Sequence, residues 1–214
     1  MLFRILLIMA IVLAMVSLLR YRKRIKDSFD IIGIYLALTL ISEGVAFYMV
    51  VVFNNNLPVF HIFNPMLFVV LAWYMHRISP TIQKYLVAWI LGAGAVIISL
   101  LNTWLFQPLF DFNSNYLLLE GLFVCILGFN ALYDYESDDR HLHLHRNPHF
   151  WIVVLFVFKQ VIVFFLYIII YLLDRHQAET TTGVIAIYRV LWGINVLGYL
   201  GMGIVFLLFS KKDQ

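Results

Sequence analysis

The sequence predicts an all-α integral membrane protein, a bundle of seven transmembrane helices. Hydrophobic residues make up 63% and charged residues 13% of the 214 residues, whereas a soluble domain has about 45–50% apolar and about 25% charged residues. Stretches of about 20 apolar residues, long enough to cross a bilayer as a helix, recur along the whole chain. Basic residues cluster in alternate connections. We therefore expect residues 1–214 to form one transmembrane domain.

Polar breaks between the apolar stretches place the individual helices. The first stretch is interpreted as a span and not as a cleaved signal peptide. It has no basic region beyond Arg4 and no clear small-residue cleavage site, and a basic cluster from Arg20 to Lys26 follows it. The seven predicted spans are 2–19, 31–53, 59–76, 85–105, 116–134, 150–173 and 184–209.

The distribution of Lys and Arg predicts the orientation. Eleven of the fifteen basic residues lie in four segments, 20–30, 77–84, 135–149 and 210–214. The remaining connections contain only Arg175 and are 54–58, 106–115 and 174–183. Because short cytoplasmic loops are enriched in basic residues, we expect an external N-terminus and a cytoplasmic C-terminus. Short loops and the absence of an Asn-x-Ser/Thr acceptor favour a multi-pass protein of a bacterial inner (plasma) membrane.

Other features argue against several kinds of function. The single cysteine, Cys125, lies in an apolar stretch and allows no intrachain disulfide. The net charge of +3 and the pI near 9.0 come from basic residues at helix ends, which topology explains, so no nucleic-acid partner is predicted. Because no segment carries a strong catalytic or cofactor motif, we predict no cofactor and favour a protein that is not an enzyme.

Two charged residues, Glu43 and Lys159, lie well inside predicted spans. An ionisable side chain near the bilayer centre costs several kcal/mol unless it is paired or hydrated. At about 1.5 Å per residue, Glu43 and Lys159 lie at similar depths in the second and sixth spans, which predicts an intramembrane ion pair. The alternative is a protonated Glu43 and a Lys159 that reaches separately toward water.

Polar and aromatic residues recur at steps of three and four in the third, fifth and seventh spans, so that in each helix they share one face. Most of them fall toward the external ends. This clustering predicts an outward-facing polar and aromatic cavity, although polar side chains in membrane helices also make ordinary interhelical hydrogen bonds. The residues predicted to bind a ligand there are His61, Asn64, Asn102, Tyr116, Glu120, Gln160, Tyr188, Arg189, Trp192 and Asn195.

The connection between the fifth and sixth spans contains alternating histidines at His141, His143 and His145. In an extended chain they would share one face, and neutral imidazoles bind zinc, nickel or copper. Metal sites usually take their ligands from rigid elements with supporting hydrogen bonds, and this segment ends in Asn147-Pro148. We therefore predict no metal site and interpret the segment as a solvated loop.

These features predict a small sensory or receptor-like membrane module. Its cavity would bind a small molecule from outside, and a separate protein on the cytoplasmic side would receive the signal. One alternative is a transporter or channel for protons or a small charged solute, which requires polar lining through the inner half. Another is a lipid-modifying enzyme that uses Glu and His as acid and base.

Overall fold

The structure, a computed structural model, describes residues 2–22, 28–137, 147–175 and 181–211, and every element in these segments is helical. Seven of the helices are long and apolar enough to cross a membrane. The predicted all-α class is thereby confirmed for the described residues, and the number of helices of membrane-spanning length equals the number of predicted spans. The helices are α1 (Leu2–Arg22), α2 (Phe29–Phe53), α3 (Leu57–Ile78), α4 (Pro80–Lys84), α5 (Val87–Leu105), α6 (Ser114–Ser137), α7 (Pro148–Arg175) and α8 (Thr181–Lys211).

The short helix α4 lies in a segment that was predicted to be a connection. Its first residue is Pro80, whose fixed φ and missing N–H suit the start of a helix. The Ser79 hydroxyl oxygen caps the helix by accepting a hydrogen bond from the Ile82 amide at 3.2 Å. The seven long helices agree with the predicted spans to within three residues at each end. Most extend past the apolar stretch, because helical hydrogen bonding continues beyond the membrane core.

The seven long helices form a closed ring in chain order. Each packs beside its neighbours, α5 follows α3 in the ring, and α8 returns to pack along α1. Small residues allow the helices to approach closely. A Cβ built on Gly203 of α8 would lie 3.4 Å from the Cα of Ala14 in α1. The same construction on Gly128 of α6 would lie 2.1 Å from Cγ2 of Val157 in α7.

Alternating helix directions give the ring two distinct ends. The "α1 end" contains the start of α1 and the connections 54–56 and 106–113. The "α4 end" contains α4 and the starts of α2 and α7. Large apolar side chains such as Trp104 and Leu197 are exposed on the outside of the ring, as expected for a surface that faces lipid.

Candidate ligand-binding cavity

A cavity of about 430 Å³ lies inside the ring, within the usual range of small-molecule sites, about 300–1,000 Å³. It extends from Asn56 and Phe112 at the α1 end to Tyr199 near the middle of α8 and Tyr35 in the first third of α2. Its lining comprises Leu7, Tyr35, Thr39, Ser42, Glu43, Asn56, Leu57, Phe60, Asn64, Leu67, Phe112, Asn113, Leu117, Glu120, Lys159, Gln160, Val163, Tyr167, Tyr188, Leu191, Trp192, Asn195 and Tyr199.

Six of the ten residues predicted to bind a ligand line this cavity. They come from four helices and are Asn64, Glu120, Gln160, Tyr188, Trp192 and Asn195. The contribution of α8 follows from helical spacing, because steps of four, three and four residues keep one face toward the interior. Glu43 and Lys159, predicted as an ion pair, also line the cavity.

His61 lies outside the lining, because neighbouring residues occupy both ring nitrogens. Its Nε2 lies 2.9 Å from the Asp111 carbonyl oxygen and its Nδ1 lies 2.8 Å from the Thr103 hydroxyl. A carbonyl oxygen only accepts, so Nε2 donates to Asp111, and the Thr103 hydroxyl itself donates to the Ser99 carbonyl oxygen at 2.9 Å. His61 thus connects α3 to α5 and to the connection at 106–113.

Asn102 also lies outside the lining and organises the same connection. Its side-chain amide donates to Gln107 Oε1 at 3.0 Å and to Asn113 Oδ1 at 2.7 Å. Its own Oδ1 accepts from the Asn115 side-chain amide at 3.2 Å. These bonds hold the segment that carries Phe112 and Asn113 against the end of α5. Asn102 therefore shapes the rim of the cavity without lining it.

Tyr116 and Arg189 are the other two predicted residues outside the lining. Tyr116 is completely buried, and its hydroxyl has no hydrogen-bond partner in the part of the chain that the structure describes. Arg189 is exposed. Depth and spacing along a helix do not determine exactly how the helix is rotated about its axis. The predicted set therefore contains residues that lie beside the lining residues.

The structure pairs Glu43 with Arg4 and not with Lys159, so the predicted ion pair is wrong. Arg4 Nε lies 3.5 Å from Glu43 Oε2, and neither atom has a hydrogen-bond partner among the described residues. The Arg4 guanidinium also lies 5.5 Å from the ring centroid of Trp192 and 6.0 Å from that of Phe47. The reason is the order of the helices, because α1 is a direct neighbour of α2 in the ring whereas α7 is not.

Lys159 is buried at 9% exposure and forms no ion pair or hydrogen bond with any described residue. Its stem packs on α8, where a Cβ on Gly198 would lie 3.1 Å from Lys159 Cδ. Its ammonium nitrogen lies 5.4 Å from the ring centroid of Tyr199 and 5.9 Å from that of Phe156. Glu120 faces the same cavity, and no ion pair joins it to Lys159.

Toward the α4 end, the bundle is packed with apolar and aromatic side chains. Tyr35 meets Phe156 edge to face with ring centroids 5.2 Å apart, and Phe29 meets Phe206 in the same way at 5.7 Å. Other buried residues of this half include Ile32, Leu36, Tyr74, Met75, Leu127, Ala131, Ile152 and Val153. The lining of the cavity ends at Tyr35 and Tyr199, and the polar His149 of this half stacks on Phe29 and bonds to the Tyr74 hydroxyl.

Asn130 and Asp134, the polar residues of the inner half of α6, have local partners. The Asn130 side-chain amide donates to the Ile126 carbonyl oxygen of its own helix at 2.7 Å. The Asp134 carboxylate accepts from the Ser79 hydroxyl, from the Thr81 hydroxyl and, at 2.9 Å, from the Thr81 amide. Asp134 thus fastens α6 to the start of α4.

The lining residues include no histidine. Besides His61, the described histidines are His76, packed against Trp89, and His149, whose Nδ1 lies 2.9 Å from the Tyr74 hydroxyl. Within the described segments no three His, Cys, Asp or Glu residues are grouped as a metal site would require. His141, His143 and His145 lie outside the described residues.

Several lining residues were missed by sequence reasoning. Thr39 and Ser42 are small hydroxyl residues whose depth alone gives no sign of a site, and Phe112 and Asn113 lie in a connection. Arg4 was missed as the partner of Glu43 although its depth is a usable signal. Comparison with known proteins adds nothing, because no protein family, curated protein or solved structure matches this chain significantly.

Proposed function

We propose that this protein is a small sensory or receptor-like module of a membrane, with a cavity that binds a small molecule at the α1 end. The α1 end would face outside and the α4 end the cytoplasm, as the distribution of basic residues predicts. The observation that carries the proposal is that the polar lining stops at Tyr35 and Tyr199. A cavity whose lining does not continue to the α4 end suits detection of a ligand better than passage of a solute.

Two helices offer a route from the cavity to the α4 end. On α6, Glu120 and Asp134 lie about four turns apart on nearly the same face, one lining the cavity and the other bonded to α4. On α8, Tyr199 lines the cavity and Phe206 packs on Phe29. A ligand that favours one position of α6 or α8 would shift the equilibrium of the α4 end, where we propose that a partner protein docks.

Access to the cavity from each side of the membrane tests this proposal against transport. In a Cys125→Ser background, Asn195→Cys would place a thiol in the lining, and Glu136→Cys would place one on an exposed position at the α4 end. A membrane-impermeant maleimide should label Asn195→Cys only in intact cells and Glu136→Cys only in inverted vesicles.

Labelling of Asn195→Cys from both sides would show alternating access and replace the sensory proposal with a transporter. Failure of Asn195→Cys to react from either side, with Glu136→Cys reactive, would show that solutes do not reach the cavity. That result would also contradict the proposal.

A further inference from the structure

We propose that the ligand of this cavity is a net-neutral zwitterion of the amino-acid class, with its ammonium group on Glu120 and its carboxylate on Lys159. This inference rests on the proposed function, because it names the ligand of the same cavity. It follows from two opposite charges that face one space, each without a hydrogen-bond partner among the described residues.

The acidic half of the site is Glu120. Its Oε2 is buried, and no described residue donates a hydrogen bond to it. A buried carboxylate without donors pays the cost of desolvation without compensation. An ammonium group in the cavity would supply both donors and the opposite charge. Tyr167 and Tyr188, which also line the cavity, would offer aromatic surface to the same group.

The basic half is Lys159, whose ammonium has three donors and no acceptor among residues 2–22, 28–137, 147–175 and 181–211. Its contacts with Tyr199 and Phe156 stabilise a cation but accept no conventional hydrogen bond. A ligand carboxylate would satisfy the donors by charge-assisted hydrogen bonds. Packing of the lysine stem on Gly198 fixes where this carboxylate would lie.

The charge balance selects a zwitterion over a simple cation or anion. Of the three charged lining residues, Glu43 is neutralised by Arg4. The remaining charges, on Glu120 and Lys159, sum to zero. A lone amine would leave Lys159 unpaired, and a lone carboxylate would leave Glu120 unpaired. Only a ligand that carries both charges satisfies both residues, which form no ion pair with each other in the structure.

The aromatic part of the lining indicates where the rest of the ligand lies. Phe112 approaches Tyr167 with ring centroids 5.9 Å apart and Tyr188 at 6.2 Å. Together with Leu117 and Leu191, these rings form an apolar wall on the side of the α1 end. An apolar amino-acid side chain would pack there.

The experiment measures thermal stabilisation of the whole protein in lipid nanodiscs by the twenty standard L-amino acids. Matched analogue pairs then remove one charge at a time, such as phenethylamine and 3-phenylpropionate for L-phenylalanine, or 3-methylbutylamine and 4-methylpentanoate for L-leucine. At least one amino acid should bind, and each of its analogues should bind about 10–100-fold more weakly, since each lacks one charge-assisted interaction.

Variants assign the two charges to their partners. Glu120→Gln should weaken binding of the amino acid by about 10–100-fold but leave binding of the deaminated acid nearly unchanged. Lys159→Gln should weaken binding of the amino acid by a similar factor but leave binding of the amine nearly unchanged. Glu136→Gln and Lys84→Gln change exposed residues of the same types and should have no effect. If a variant does not fold, the analogue series with the unaltered protein still decides the question.

Two results would overturn the zwitterion. One is that no amino acid stabilises the protein. The other is that an amine or an acid binds as tightly as its parent amino acid. If an analogue binds and Asn195→Cys is labelled from one side only, the cavity is still a ligand site and only the ligand class is wrong. Labelling from both sides would instead contradict the proposed function itself.

Discussion

Arg4 has the most unusual environment of the charged residues that the structure describes. It lies in the first turn of α1, contacts Glu43 of α2 and lies over Trp192 of α8. One guanidinium thus bridges three helices at the rim of the cavity. Removing either charge would strand the other in a weakly polar setting, which costs more than the pair contributes when it is intact.

We expect the pairing of Arg4 and Glu43 to appear as a coupling energy. Arg4→Gln and Glu43→Gln should each lower the free energy of unfolding, and the double variant should lose less than the sum by about 0.5–3 kcal/mol. Denaturant unfolding in mixed micelles measures the three values. The comparison cycle combines Glu43→Gln with Lys159→Met and should give a smaller coupling. A larger coupling in that second cycle would instead show that Glu43 pairs with Lys159.

At the scale of residues, the sequence predicts how deep a side chain lies along its helix but not which neighbouring helix it faces. Measured from the ends that α1 and α2 share, Arg4 lies about 27 Å and Glu43 about 21 Å along their helices. The two side chains are long enough to span this difference in depth. A comparison of depths in consecutive helices therefore predicts the pair of Arg4 and Glu43. Lys159 lies at a similar depth on a helix that is not adjacent to α2, and depth alone does not distinguish the two partners.

At the scale of helices, glycines determine how closely neighbours pack. Gly128 of α6 faces Val157 of α7 at a distance that leaves no room for a Cβ. Gly121, two turns earlier on α6, lies against Phe164 and Gln160, with 3.1 Å and 3.3 Å from an added Cβ to the nearest atoms. Because Glu120 and Lys159 lie on these same two helices, this packing also sets the distance between the charges in the cavity.

Gly128→Ala should therefore separate α6 from α7. We expect a loss of about 1–3 kcal/mol in the free energy of unfolding, typical of overpacking. Gly94→Ala in α5 is the matched control, since nothing lies within 4 Å of its added Cβ, and it should be neutral or stabilising by up to about 1 kcal/mol. Equal effects of the two substitutions would show that the close contact with Val157 is absent.

The elements themselves were almost fully predictable from the sequence, because an apolar stretch of bilayer length has few alternatives to a helix. The exception is α4. Its five residues carry no apolar periodicity, and its position depends on hydrogen bonds from Ser79 and Thr81 to Asp134, about 55 residues later in the chain. Such a long-range contact leaves no local pattern in the sequence.

For the whole molecule, the central prediction is the orientation in the membrane. The described helices alternate in direction, so we expect the two ends of the ring to lie on opposite sides of the membrane. The eleven basic residues in segments 20–30, 77–84, 135–149 and 210–214, against Arg175 alone in the other connections, predict which side is cytoplasmic.

Reporter fusions provide the test. An alkaline phosphatase fused after Asn56 should be active, because that position would be external, and a fluorescent protein fused after Gln214 should fluoresce in the cytoplasm. Exchanging the two reporters controls for expression. An active phosphatase at Gln214 would reverse the orientation and place the cavity on the cytoplasmic side.

The contact between α1 and α8 has a consequence for biogenesis. Because the chain is synthesised from its N-terminus, α1 is complete before α8, the helix along which it packs, has been made. Until then Arg4 lacks Trp192, and the lining residues from Tyr188 to Tyr199 are missing. Docking of Gly203 on Ala14 then closes the ring. A nascent chain that stalls before α8 would therefore lack one wall of the cavity, and the face of α1 that α8 covers would remain open.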